Sequence, residues 1–125
     1  MIKKRILVID DEESFTTLIK TTLEERGDYE VRAENNASLA ISAIREFKPD
    51  LILLDIIMPG DTDGSEIARM MRSDERIRGI PTVFLTAAVT EEEVASGSGF
   101  IGGYPFIAKP VQIQELIEYI ERRLS

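Results

Sequence analysis

An acidic pair, Asp10-Asp11, a lone Asp55, a Thr86 and a Lys109 each stand at the end of a short apolar run: RILVIDD, LILLD, TVFLT and FIAKP. If those runs are parallel strands, the polar residues share one edge of one sheet. In open α/β sheets, that carboxyl edge is where ligands bind, at the point where strand order reverses. Carboxylate oxygens are ligands of hard cations, and Mg²⁺ suits an octahedral site completed by water and phosphate oxygens. An Asp carboxylate can also act as a nucleophile and take a phosphoryl group as an acyl phosphate. A Lys109 ammonium and a Thr86 hydroxyl could both serve a phosphoryl oxygen. Singly, each residue has a plainer reading: an Asp that starts a loop, a Thr that caps a turn, a surface Lys before a helix-starting Pro110. Together they are harder to explain that way, because two carboxylates 4 Å apart repel by about 4 kcal/mol at an effective dielectric near 20. A structural role gives no return for that cost, so the set reads as a cation-and-phosphoryl site.

The elements that must position these residues alternate regularly. Arg5–Ile9 reads as a strand buried on both faces. Phe15, Leu18, Ile19 and Leu23 then recur at helical spacing up to Gly27, and Tyr29–Ala33 is a short strand. Asn36 can cap a helix carrying Leu39, Ala40, Ala43, Ile44 and Phe47, stopped by Pro49. Leu51–Leu54 is the most apolar strand and is expected at the centre. After the Pro59-Gly60 loop, Ile67, Met70 and Met71 mark a third helix, and Thr82–Leu85 follows Pro81 as a strand. Thr90 with Glu93 forms a capping box for a fourth helix. Phe106–Ala108 gives a fifth strand, and Ile113, Leu116, Ile117, Ile120 and Leu124 a fifth, strongly amphipathic helix. Alternation of this kind predicts an α/β fold, a doubly wound parallel sheet with helices on both faces.

With 125 residues, the chain has room for one domain, expected to span residues 1–125 with nothing attached. Its net charge of −8 argues against a sequence-independent grip on nucleic acid. Lys3-Lys4-Arg5 and Arg122-Arg123 read as solvated ends. With no Cys, disulfides and thiolate metal sites are excluded. With no His, any phosphohistidine chemistry must come from a partner. No apolar stretch approaches the length of a membrane span and no signal-peptide pattern opens the chain, so the expected compartment is the cytoplasm.

The Asp pair after the first strand, LLDIIMPG after the third, LTA after the fourth and AKP after the fifth together resemble the response-regulator receiver domain of two-component signalling, from Lys4 to Leu124. The resemblance implies a flavodoxin-like, five-stranded parallel sheet in the order 2-1-3-4-5 flanked by five helices. It implies Asp55 as phosphoacceptor, with Mg²⁺ held by Asp10, Asp11, Asp55 and the main-chain carbonyl of Ile57. Thr86 would hydrogen-bond the phosphoryl group and Lys109 would pair with it, beside a Lys109–Pro110 peptide bond that is usually cis. Phe106, three positions before the Lys, would be the aromatic switch residue, rather than Tyr104. A Phe there keeps a packing switch but has no hydroxyl to signal outward.

Two departures from that pattern stand out. The PGDTDG loop is one residue longer than the usual spacing. The fourth-helix region, ASGSGFIGG, carries Gly97 and Gly99, and Gly costs about 1 kcal/mol relative to Ala inside a helix. Two other motifs lack their context. Gly97, Gly99 and Gly102 spell a dinucleotide fingerprint, but a capped acidic helix start precedes them instead of a strand. DTDG suggests a calcium loop, yet the required first and last acids fall on Pro59 and Met70.

The expected function is a phosphorylation-dependent switch, not a classical enzyme. Asp55 would accept a phosphoryl group from a sensor histidine kinase, a phosphotransfer protein or a small phosphodonor. The face made by the fourth helix, fifth strand and fifth helix would then change for a downstream protein, with a homodimer as one outcome. The same site would catalyse its own phosphorylation and dephosphorylation. The segment from Glu91 to Tyr104, with its four glycines, is expected to be loosely held until then. An unphosphorylated receiver-fold scaffold or dimerisation module is the alternative, and the intact polar set argues against it.

Overall fold

A computed structural model describes residues 2–58, 64–86, 100–101 and 104–124. Strands β1 (Lys4–Ile9), β2 (Tyr29–Glu34), β3 (Leu51–Asp55), β4 (Thr82–Thr86), β5 (Phe100–Ile101) and β6 (Tyr104–Ala108) form one sheet in the order β2-β1-β3-β4-β6-β5. The first five in that order run parallel, which is the order expected. The sixth, β5, was not expected: it pairs antiparallel with the start of β6, Phe100 opposite Pro105 and Ile101 opposite Tyr104. Helices α1 (Glu13–Glu25), α2 (Ala40–Phe47), α3 (Gly64–Arg72) and α4 (Ile113–Leu124) complete the described elements. The expected helix capped by Thr90 and Glu93, most of the Glu91–Tyr104 segment and the PGDTDG loop up to Asp63 lie outside the described residues.

The apolar runs work because the apolar residues of β1, β3 and β4 alternate between two cores. Ile6, Val8, Leu51, Leu53, Val83 and Leu85 point to one side, where α1 supplies Ile19 and Leu23 and α4 supplies Leu116, Ile117 and Ile120. Leu7, Ile9, Ile52, Leu54 and Phe84 point to the other, against Ala43 and Ile44 of α2 and Ile67, Ala68 and Met71 of α3. A strand covered on both faces has no polar side to show, so the runs are continuous rather than alternating. That packing also fixes register: a one-residue slip would exchange the two faces of a strand.

Helix boundaries follow local chemistry. Gly27, at φ 85, accepts a backbone that a side chain would strain and ends α1 as expected. Asn36 caps a 3₁₀ turn over Ala37–Leu39 that leads into α2, its side chain accepting from the Ser38 N–H at 3.0 Å. Three of the apolar residues that marked the helices are half-exposed: Leu18, Leu39 and Met70. Consecutive helical residues point about 100° apart, so of Leu18-Ile19 and Met70-Met71 only the second of each pair can face the sheet. Leu39 ends the 3₁₀ turn, before the stripe of α2 begins.

Candidate functional site

Asp10, directly after β1, is fully buried, and Asp55, the last residue of β3, is 4% exposed. Such burial needs partners. Asp10 Oδ1 accepts the Glu12 N–H at 3.0 Å and its Oδ2 accepts Lys109 Nζ at 2.8 Å. Asp55 Oδ1 accepts the Ile57 N–H at 3.3 Å, and its Oδ2 lies 3.6 Å from Lys109 Nζ. Asp11 is exposed at the rim. Oxygen atoms of Asp10, Asp11 and Asp55 lie within 4.8 Å of one another. The register of the sheet brings them together, because β1 and β3 are neighbours and both end at this edge.

Thr86 closes β4 and is buried; its carbonyl accepts the Lys109 N–H at 2.9 Å, tying the two strand ends. The Lys109–Pro110 peptide bond is cis, as the resemblance implied. Phe106 is half-buried on β6 and registers with Phe84 of β4. Tyr104 packs on the same side, edge-on to Phe84 with ring centroids 5.3 Å apart and with the Arg72 guanidinium 5.6 Å above it. The Ile57 side chain stands in solvent at 59% exposure, beside the acid cluster.

The electrostatics are unbalanced in a way that suits a cation. Burial first, then the Asp10 charge, push the Asp55 pKa up to about 6; Lys109 and the Ile57 N–H pull it down without winning, and Asp11 adds to the rise. Burial alone would depress the Lys109 ammonium. Its hydrogen bond to Asp10 and the charges of Asp10, Asp55 and Glu12 outweigh that and raise its pKa instead. One lysine therefore faces three carboxylates. Hard oxygen donors left under-neutralised beside solvent fit a small divalent cation such as Mg²⁺.

Several contributors were not anticipated from the sequence. Asn35, after β2, donates to the Asp10 carbonyl at 2.8 Å and to Thr16 Oγ1 at 2.9 Å, joining three elements behind the acid pair. Glu12 lies 3.8 Å from Lys109 Nζ, and the Phe15 ring centroid 5.1 Å from it. Gly64 opens α3 against the end of β3: its N–H donates to the Ile56 carbonyl at 2.8 Å, and a Cβ placed there would stand 2.1 Å from the Asp55 carbonyl oxygen. The signal was present as a Gly after Asp63, but an Asp-Gly pair ordinarily reads as a turn. We expect Gly64→Ala to force α3 off Asp55 and lower stability by about 2 kcal/mol, the usual range for overpacking. Urea unfolding checks this; a loss below about 0.5 kcal/mol, within the range of an ordinary surface change, would mean the approach is not tight.

These features define a class. Residues 6–121 match the family model described as the response regulator receiver domain. The chain belongs to that family. It is 39% identical to the nisin biosynthesis regulatory protein NisR of Lactococcus lactis subsp. lactis, over 97% of this chain and 50% of that one. It is 34% identical to the DNA-binding response regulator MtrA of Mycolicibacterium smegmatis, over 98% of this chain and 51% of the relative. The chain thus spans about half the length of the curated relatives it matches. Among solved structures, the Methanospirillum hungatei CheY-like receiver domain protein aligns with a TM-score of 0.81 at 28% identity, covering 98% of this chain and 94% of that one. The Vibrio cholerae chemotaxis protein CheY4 aligns equally well, at 0.81, over 98% of this chain and 100% of the other; at 24% identity it speaks for the fold. Among the described residues no helix is long and apolar enough to cross a membrane.

Proposed function

We propose that Asp55 is the phosphoacceptor of a signalling switch. The observation that carries this is the meeting of Asp10, Asp11, Asp55 and Lys109 at one sheet edge, with Asp55 buried beside the exposed Asp11 and destabilised in its charged form. A partner's phosphohistidine or a small acyl phosphate supplies the group. An Asp55 carboxylate oxygen forms the new O–P bond as the donor's P–N or P–O bond breaks, and the donor keeps that electron pair. Asp10, Asp11, Asp55 and the Ile57 carbonyl would hold Mg²⁺, which supplies charge neutralisation at the transferring oxygens. Lys109 sits between Asp10 and Asp55, positioned to meet a phosphoryl oxygen. Catalysis by such a set is positioning and electrostatics rather than covalent help.

The donor has a place to dock. A groove of about 500 Å³ beside the acid cluster is lined by Phe15 and Leu18 of α1 and by Lys109, Pro110, Val111 and Ile113. Leu18, exposed here at 50%, is well placed for an apolar contact with a phosphodonor protein. After transfer, Thr86 moves toward the phosphoryl group and Phe106 follows into the space vacated, a local charge change biasing a two-state element. Downstream contact is then with a protein, on the face of β6 and α4, in keeping with the net charge of −8.

Intact-mass measurement after acetyl phosphate and Mg²⁺ tests the proposal. One phosphoryl adduct is expected, absent from Asp55→Asn. No adduct with any donor would favour a binding scaffold instead. Lifetime gives a further prediction. Ile57, exposed beside the site, offers no hydrogen bond to a water attacking the phosphorus, so hydrolysis is expected to be slow. Ala88, two residues after Thr86 in the sequence, would flank the same path without offering a hydrogen bond either, and it lies outside the described residues. Ile57→Asn should release phosphate faster; an unchanged or slower rate would reject the argument.

A further inference from the structure

The amino ends of β3 and β4, opposite Asp55, carry a second cavity, of about 570 Å³. That volume is in the range of small-molecule pockets. Its floor is apolar: Ile44, Pro49 and Ile77 are buried, and Ile80 partly so. Its rim holds Arg45, Lys48 and Arg76.

Two of the three rim cations are anchored. Arg45 donates Nε and Nη2 to Asp74 Oδ2 at 3.0 and 2.7 Å. The other oxygen, Oδ1, accepts from Arg76, from its backbone N–H at 3.0 Å and its Nε at 3.3 Å. One carboxylate thus anchors two guanidiniums, each of which has five N–H donors in a rigid fork and so keeps several to spare. Those hydrogen bonds hold the Asp74 pKa down to about 2, so the anchor stays charged. Lys48 ends α2 with φ 53, its N–H on the Ile44 carbonyl at 3.0 Å. Among the described residues its ammonium has no ion-pair partner. Three cations therefore surround an apolar floor against one anchoring carboxylate, in a chain of net charge −8.

We propose that this cavity binds a small organic anion, a carboxylate or phosphate headgroup on an apolar body. The headgroup takes the spare Arg45 and Arg76 donors and the Lys48 ammonium, and the body lies on Ile44, Ile77 and Ile80. Charge-assisted, fork-shaped recognition gives the anion its orientation. Neither the acid cluster nor the groove beside Lys109 shares a residue with it.

The full chain can be titrated with 1-anilinonaphthalene-8-sulfonate, an aromatic anion, following its fluorescence and the amide shifts of the ¹⁵N-labelled protein. Saturable binding with shifts confined to residues 44–49 and 74–80 is expected. Its uncharged counterpart, N-phenyl-1-naphthylamine, should bind more weakly. Lys48→Gln and Arg76→Gln should each weaken the anion by about tenfold, the loss of one charge-assisted hydrogen bond. Both variants should still take a phosphoryl group on Asp55, since they touch nothing there. Competition by hexanoate or by phenyl phosphate names the headgroup, while inorganic phosphate alone should not compete. Shifts elsewhere, equal binding of the uncharged probe, indifference to both substitutions, or displacement by neither organic anion would each overturn the proposal.

Discussion

Replacing Lys109 by Met is expected to lower the stability of the metal-free protein by about 3 kcal/mol, the cost of leaving a buried charge without its partner. Asp10 is fully buried and Lys109 Nζ, at 2.8 Å, is its one cationic contact among the described residues. The same ammonium lowers the Asp55 pKa against burial and against Asp10. Met keeps most of the stem that packs by Phe15, so the substitution removes charge more than volume. Adding Asp10→Asn to Lys109→Met should return much of the loss, because a neutral amide tolerates the site that a lone carboxylate does not. Equilibrium urea unfolding of the two single variants and the double variant gives the coupling directly. A single-variant loss below about 1 kcal/mol, of the size of an exposed ion pair, would show that the Asp10–Lys109 contact carries little.

How much of this site the sequence disclosed depends on the kind of signal each residue left. Asp10, Asp55, Thr86 and Lys109 were legible because each interrupts an apolar run, and a run buried on both faces leaves nowhere for a polar residue except its end. The apolarity of Leu51–Leu54 marked β3 as central, but the rest of the sheet order was legible only through the resemblance, since alternation of strands and helices does not itself say which strands are neighbours. Leu18 and Met70 marked their helices correctly but turn outward; each sits next to another large apolar residue, and periodicity alone cannot say which of the two faces inward. β5 was missed because two residues are too few to show a pattern; Gly102-Gly103 between two apolar pairs was the available hairpin cue. The contacts of Gly64 with Asp55, and of Asp74 with Arg45 from 29 residues away, exist only in three dimensions.

Stability of the metal-free protein is expected to rise as pH falls from 8 to 5, opposite to the usual effect of a paired carboxylate. The sign follows from Asp55. Its folded pKa of about 6 stands above the ordinary value of 3.8, so in this window the folded state binds more protons than the unfolded one. The stabilisation is therefore complete below the unfolded value and lost as pH rises through about 6. A shift of about two units corresponds to about 3 kcal/mol over the whole range, of which roughly half is recovered by pH 5. Glu24 and Asp74, both held below their ordinary values, work in the other direction but only at more acid pH. At pH 8 the three carboxylates carry their full repulsion, and a divalent cation relieves it. Mg²⁺ at a hundredfold excess over its dissociation constant should then add about 2.7 kcal/mol. Asp11→Ala should stabilise the metal-free form while abolishing that gain, since Asp11 is an exposed rim ligand rather than a packing residue. Thermal and urea unfolding at pH 8 and 5, with Mg²⁺ or with a chelator, read all of this. A metal-free stability that is flat across the window, or whose slope survives in Asp55→Asn, would remove Asp55 as its source. Unfolding insensitive to Mg²⁺ at pH 8 would remove the acid cluster as its site.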